Sequence, residues 1–422
     1  MSRLIQSLIL FVMIFSSNGF YANTNTGSNS GRDVYLCEEA ARDNVSYYGS
    51  SYGKKVPITG DVSQLRYFFN ALKLSKSSRI RVAHYGDSII LGDVISEGLR
   101  ENLQAKFGGN GAGFVAINTD DFGMRKTTTI KFSNDWNEAS VFKRNPKNWP
   151  LGIAGNVFMP SANSYVQYET SRLSRSLKSF KNVYLYYKGS NGIGSVDFSF
   201  NSGGTQSKKL ASTDRVKDLL VTSSSDATSV KLTFKSCTNT YFYGVSLENG
   251  NGIYVDNFPM KGQSGIMLVD LTQPVLKEFS SLLDYKLIIL NFGVNVVSPE
   301  YNDYVWYEKK MEKVIDHFKS AFPNASILIV SAGDKSVKKG MSFSTDPQIA
   351  LLLKSQKLIA EKSKVAFWNL YEAMGGANAM ESWVSAKPQL ALKDYCHLTS
   401  EGGKVVSDLL SEALLSAYNK AK

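Results

Sequence analysis

The hydropathy pattern of this chain changes period twice, and that double switch limits what it can fold into. Residues 61–118 read as helix, strand, turn, helix. Leu65, Phe68, Phe69, Leu72 and Leu74 recur at helical spacing, and Ile80-Arg81-Val82-Ala83-His84-Tyr85 is a short apolar strand. Gly86-Asp87-Ser88 is a turn, and Val94, Ile95, Leu99 and Leu103 mark a helix from Asp93 to Lys106. From 119 to 257 the period drops to two. Val183–Tyr187, Val196–Phe200 and Val230–Phe234 alternate between clusters of Gly, Ser and Asn, the pattern of an antiparallel β-sandwich. Over 258–422 strands and helices alternate again. Leu287–Leu290 and Ile327–Val330 are continuous apolar runs, as buried parallel strands are. Helices are expected over 305–321, 346–362 and from Gly403 to about Tyr418, with a last strand at Val365–Trp368. The simplest organisation is one α/β domain, 61–118 with 258–422, split by an inserted β-domain at 119–257.

The remaining N-terminal residues do not belong to that pattern. Met1 to Ala22 has a positive start at Arg3 and an apolar run from Leu8 to Phe15, followed by small and polar residues. It reads as a secretory signal, and the run is too short to span a membrane. Residues 23–60 read as an N-terminal tether and extension, of which 23–32 is the polar tether. An exported protein, periplasmic or extracellular, is expected.

Composition narrows the chemistry. The 422 residues carry 48 Lys and Arg against 37 Asp and Glu, a net charge of +11. The stretch 119–257 holds 17 of the basic residues and 11 of the acidic ones. Such a balance favours an anionic partner. Nucleic acid is not expected, because no recognition motif accompanies the charge. With three His and three Cys, a His-rich metal centre and a disulfide-stapled scaffold are both excluded. No metal and no organic cofactor are expected.

The small number of histidines shortens the search for a general base. His317 lies within an amphipathic helix, where a surface or edge role is expected. His84 sits on the strand before Gly86-Asp87-Ser88, and either lines the site or packs in the core. His397 lies in Asp394-Tyr395-Cys396-His397-Leu398-Thr399, just before the C-terminal helix. An acid three residues before it, Asp394, can hold one ring nitrogen and leave the other to take a proton from a nucleophile. Ser88 is the candidate nucleophile. It follows a buried strand, so its hydroxyl projects at the carboxyl edge of the sheet, where ligands collect in open α/β folds. The turn it opens offers unpaired N–H groups to an oxyanion. Gly293-Val294-Asn295 follows the strand Leu287–Leu290, so the Asn295 amide can donate into the same place. Gly262-Gln263-Ser264-Gly265 offers a backbone N–H in a turn.

Ser, Gly, Asn and Asp-x-x-His in this order resemble the four motif blocks of the SGNH (GDSL-type) serine hydrolases. The likeness implies a flavodoxin-like three-layer α/β/α domain. It implies Ser88 as nucleophile, His397 as base and Asp394 as its orienting acid. It implies an oxyanion hole made by the Ser88 and Gly262 N–H groups and the Asn295 amide. His84–Ser88, Leu99–Gln104, Phe107–Phe114, Phe367–Gly376 and Trp383 also look like bipartite peptidoglycan O-acetylesterases. In those enzymes a carbohydrate-binding-module-like β-domain is inserted between the Ser and Gly blocks. Two positions depart from that pattern: Ile89 stands where those esterases commonly have His, and Val296 where many relatives have Glu.

The expected function is therefore removal of O-acetyl groups from a cell-wall or extracellular glycan by a monomeric, exported serine esterase. Alternatives are O-acetyl transfer with the same triad, or non-catalytic glycan binding. Tyr184, Tyr186, Tyr187 and Tyr241 either stack on sugar rings or belong to the sandwich core.

Overall fold

Every strand that carries a motif block enters one six-stranded sheet in the computed structural model, which describes residues 52–421 apart from 119–122, 143–144, 146 and 172–176. Its strands are β1 (Thr59–Gly60), β2 (Arg79–Gly86), β3 (Gly252–Pro259), β4 (Tyr285–Asn291), β5 (Ser326–Val330) and β6 (Ala366–Trp368). They lie side by side in the order β1-β6-β5-β4-β2-β3. All neighbours are parallel except β1, which closes the edge antiparallel to β6. Counted from β2, the parallel strands have the 2-1-3-4-5 order of flavodoxin-like sheets, with the topological switch between β2 and β4. These strands are apolar on both sides. In β5 every residue is buried, and β4 is buried at all positions but Lys286.

Burial on both sides requires helices on both faces. One face carries α1 (Arg66–Leu72), α2 (Ser96–Phe107) and the C-terminal helix α8 (Ser400–Lys420). Here Phe69 and Phe107 each pack edge-on against Tyr418, with ring centroids 5.6 and 5.8 Å apart. The other face carries α3 (Gln273–Leu283), α4 (Val305–Ala321) and α5 (Gln348–Ser363). Glu308 of α4, almost fully buried, is held by Ser355 and Lys362 of α5, both at 2.7 Å. Two short helices, α6 (Leu370–Met374) and α7 (Ala379–Ser385), lead into the loop before α8. No helix among the described residues is long and apolar enough to cross a membrane.

The inserted region is a pair of antiparallel sheets. One has five strands, ordered Thr205–Lys209, Ser195–Phe200, Ser229–Lys235, Tyr165–Thr170, Thr128–Phe132. The other orders Lys217–Ala227, Phe180–Lys188, Tyr241–Glu248, Asn156–Met159, Asn137–Ser140, with Gly113–Ala116 also on Tyr241–Glu248. Period-two burial, such as that of Val196, Phe198 and Phe200, turns alternate side chains into the core between the sheets. Phe234 meets Phe242 there at 4.6 Å and Trp136 at 4.9 Å.

Three boundaries differ from the sequence expectation. The sequence pattern places Gly252–Pro259 mostly in the insert, yet it returns to the parallel sheet beside β2. Gly113–Ala116, assigned to the α/β part, pairs with an insert strand. The α/β layer begins before residue 61: the Lys54 N–H bonds to the Ala373 carbonyl, and Thr59 and Gly60 pair with β6. The signal segment and Cys37 lie outside the described residues.

A buried ion network crosses the seam between the two regions. Arg81 on β2 donates to Asp256 on β3 at 2.9 Å and to Ser246 of the insert at 3.1 Å, and also pairs with Glu248 of the insert. Asp256 further accepts from the Phe114 N–H and the Tyr285 hydroxyl. Burial alone would raise the Glu248 carboxyl, but Arg81 and Arg79 outweigh it and hold it below its ordinary value.

Candidate active site

The site is built from loops at the carboxyl edge of the sheet, on either side of the switch point. Strand β2 runs into Asp87, whose side chain fixes the turn. Its Oδ1 accepts the Ile89 N–H at 3.0 Å, and its Oδ2 accepts the Gly293 N–H at 3.2 Å. The Asp87 N–H bonds back to the Asn291 carbonyl at 3.3 Å. One buried carboxylate thus ties the loop of Ser88 to the loop of Asn295. Gly86 allows the close approach, since a Cβ there would lie 2.8 Å from the Asn291 carbonyl oxygen. Burial pushes the Asp87 carboxyl up to about 6 against the opposing pull of these two N–H groups.

Ser88 opens a 3₁₀ segment, Ser88–Asp93, that kinks at Leu91 and Gly92; α2 starts only at Ser96. The sequence spacing extended this helix back to Asp93. The observed kink puts Asp93 in the left-handed region at φ +70°. There its carboxylate accepts from Arg100 at 2.9 Å and from Thr127 at 2.8 Å, fully buried. This anchor holds the segment leaving Ser88.

The second half of the site is the loop before α8. The chain folds back on itself here: the Leu392 N–H bonds to the His397 carbonyl at 2.7 Å, and Ala391 bridges Leu398. Thr399 caps α8 by accepting the Gly402 N–H. Within the turn Tyr395 takes φ +57°. Asp394 Oδ1 accepts the Cys396 and His397 N–H groups, both at 3.0 Å, and its Oδ2 lies 2.7 Å from His397 Nδ1. Burial would raise this carboxyl, but the bonds from His397 and Cys396 prevail and lower it. An ionised carboxylate only accepts, so the proton sits on Nδ1 and Nε2 is left as acceptor. His397 Nε2 lies 2.8 Å from Ser88 Oγ. Ser88, His397 and Asp394, 309 positions apart in sequence at the extremes of that relay's first bond, form one hydrogen-bonded chain.

The two remaining expected residues sit on one neighbouring loop pair. Asn295 is exposed, and one amide N–H bonds to the Gln263 carbonyl at 3.1 Å. Gly262 is the left-handed residue, φ +73°, of a turn closed by Gln263 N–H to Met260 carbonyl at 3.1 Å. Among the described residues no protein acceptor takes the Gly262 N–H. The Met260 N–H bonds to the Gly86 carbonyl at 2.7 Å, which joins this turn to the end of β2. Tyr307 of α4 steadies the same turn through the Ser264 carbonyl at 3.1 Å.

The other candidates lie elsewhere. His84 is fully buried: Nδ1 lies 2.8 Å from Ser96 Oγ, which in turn bonds to Asn257. Burial lowers its pKa to about 4, so it is a neutral packed ring beneath the site. His317 Nε2 lies 2.9 Å from the Leu271 carbonyl at a half-buried helix edge. Tyr187 is a core residue of the sandwich, beside Phe242, whereas Tyr186 is buried at the seam, packed on Phe114 and on Phe279 of α3. Tyr184 stacks under Arg79, and Tyr241 meets Trp149. Cys237 and Cys396 are free thiols, each raised to about 11 by burial. Among the described residues no cluster of three or more His, Cys, Asp or Glu side chains is arranged to hold a metal ion.

Sequence reasoning missed two contributors. Asp87 was read only as part of a turn, although an acid flanked by two glycine-bearing loops is a signal for such a tie. The hairpin Ser336–Lys339 with Ser342–Thr345, which packs on the loop of His397, left no signal in the periodicity.

No family model matches the chain, and no curated protein matches it. Among solved structures, one described as a peptidoglycan O-acetylesterase in action superposes with TM-score 0.70 at 19% identity. That match covers 86% of this chain and 99% of the other. A family two carbohydrate esterase from Cellvibrio japonicus gives TM-score 0.29 at 9% identity, over 70% of this chain and 99% of its own. A salicylyl-acyltransferase from a tetracycline biosynthetic pathway gives TM-score 0.33 at 11% identity, over 72% and 97%. The first likeness shows a shared fold, an α/β/α domain with an additional β-domain; the other two overlap too loosely to carry an argument.

Proposed function

We propose that this chain is an exported serine esterase that removes O-acetyl groups from a glycan, with cell-wall peptidoglycan as the first candidate. The observation that carries this reading is the relay Ser88–His397–Asp394, with bonds of 2.8 and 2.7 Å. The substrate class is taken from the architecture shared with a protein described as a peptidoglycan O-acetylesterase.

In this mechanism Ser88 Oγ attacks the acetyl carbonyl carbon as His397 Nε2 takes its proton. Asp394 keeps the ring oriented and supports the imidazolium that forms. The carbonyl oxygen becomes an oxyanion held by the Ser88 and Gly262 N–H groups and the second N–H of Asn295. Gln263 and Asp87 act here as positioning residues: one orients the Asn295 amide, the other sets the spacing between the two loops. The C–O bond to the sugar then breaks, and His397 protonates the leaving alkoxide. Water, activated by the same imidazole, attacks the acetyl-serine, releases acetate and restores Ser88.

The test is acetate release from an aryl acetate and from O-acetylated peptidoglycan and xylan, by wild type and by Ser88→Ala. Activity retained by Ser88→Ala would overturn the mechanism. Activity on aryl acetates with none on any acetylated glycan would overturn the substrate class.

A further inference from the structure

The hairpin Ser336–Thr345 is fastened to the loop of His397 at two points. The Phe343 ring stacks face to face on Tyr395, with centroids 3.6 Å apart and planes 6° from parallel. The Ser336 N–H bonds to the Tyr395 carbonyl at 3.0 Å. Tyr395 lies between Asp394 and His397, so the hairpin is fixed against the relay itself.

That attachment brings positive charge to the site. Lys338 is the direct cross-strand partner of Phe343, so their side chains leave the same face of the hairpin. This is the face that meets Tyr395. Lys335 directly precedes Ser336 and lies near enough to Cys396 to oppose the rise that burial imposes on its thiol. Lys393 precedes Asp394 on the catalytic loop. Lys338 and Lys393 are exposed, and Lys335 is half-buried. None of the three has a carboxylate partner among the described residues. The acids nearby are engaged: Asp394 by His397, and Asp334 by Thr345 and the Met380 N–H. Four lysines of the insert are arranged differently. Lys131, Lys181, Lys188 and Lys235 each pair with an acid.

We propose that Lys335, Lys338 and Lys393 form a subsite for a carboxylate carried by the glycan whose ester lies at Ser88. The site rests on the esterase reading and specifies its substrate class as an acidic, O-acetylated polysaccharide. Flexible ammonium groups suit a polymer whose carboxylates vary in position, where a rigid guanidinium fork would demand one geometry. Two sources share this chemistry, a uronate residue in the chain and a carboxylate on a lactyl or peptide branch.

The experiment uses the full chain with Ser88→Ala, so that binding is read without turnover. It is titrated with O-acetylated polyuronate, O-acetylated muropeptide and O-acetylated xylan at low and high salt. At least one acidic glycan is expected to bind about tenfold more tightly than xylan at low salt, and to lose that advantage at high salt. Adding Lys338→Gln and Lys393→Gln, both at exposed positions, should bring the acidic glycan to the xylan level. Preference confined to polyuronate assigns a uronate; preference confined to muropeptide assigns the branch carboxylate. Equal binding of acidic and neutral glycans, or an equal loss for all three on removing the lysines, would overturn the proposal. The esterase reading fails separately, through wild-type turnover of aryl acetates that survives Ser88→Ala.

Discussion

The α/β layer and the inserted sandwich use the same kinds of residue for different ends. In the sandwich, the left-handed non-glycine residues are Asn148, Asn163, Asn201, Ser202, Ser236 and Asn239, mostly asparagines, which tolerate that conformation well. Its tyrosines are packed, and some of its surface charges are paired, as Lys131 is with Glu169 and Lys235 with Asp197. In the α/β layer, left-handed Asp93 and Tyr395 lie on the two loops that bring Ser88 and His397 together. Buried ionisable groups with displaced pKa values, Asp87 and His84, lie directly under them. The contrast teaches that left-handed backbone and buried titratable groups meet at the carboxyl edge of one sheet, where Ser88 and His397 are brought together.

The largest effect that would sharpen this contrast is on turnover. Ser88→Ala or His397→Ala should lower kcat on an aryl acetate about 10⁴-fold, with the urea midpoint unchanged. No single substitution of an exposed insert residue should approach that. A loss of similar size from an insert surface residue would break the comparison.

The seam between the regions is the next test. Arg81→Met leaves Asp256 buried without its cation and Glu248 with Arg79 alone, and should cost about 3–5 kcal/mol in chemical denaturation. Both regions should then melt earlier and together. A variant in which only the sandwich loses its signal would show the two to be energetically separate.

A third test separates two opposed titrations under Ser88. The Asp87 carboxyl is raised to about 6, so its contribution is full below its unfolded value near 4 and is lost as pH rises through 6. The His84 ring is lowered to about 4, so its contribution is full above its unfolded value near 6.5 and is lost as pH falls through 4. Each amounts to about 3 kcal/mol and they act in opposite directions across the same window. Wild-type stability should therefore change little between pH 4 and 6.5 on their account. Asp87→Asn should expose the histidine arm, giving a protein that loses stability steeply on acidification. A flat profile in that variant would refute the opposition.

The smallest effect belongs to the insert surface. Lys235→Ala, which removes a half-exposed pair with Asp197, should change stability by under about 1 kcal/mol and leave turnover untouched.

Much of this arrangement is legible in the sequence because it depends on local pattern. Apolar runs such as Leu287–Leu290 gave buried parallel strands, and the turn glycines and Asp-x-x-His marked the loops that converge. Gly252–Pro259 was misread because it follows an insert strand after a short Gly and Asn turn, as the second arm of a hairpin would. Only its pairing with β2, set by Arg81 and Asp256 across 175 positions, reveals that it belongs to the other sheet. The contact of Phe343 with Tyr395 was invisible for a similar reason: it joins two loops with no shared period.

The position of β2 in the sheet has a consequence for how the chain is made. Its two neighbours, β3 and β4, both come from sequence beyond the insert. During vectorial synthesis the strand that leads to Ser88 therefore emerges without a partner. It must wait, with its edges unpaired, until the whole sandwich has been produced. Such long-range closure is slow and leaves an adhesive edge exposed. The nascent chain is thus most vulnerable at the segment on which its chemistry depends.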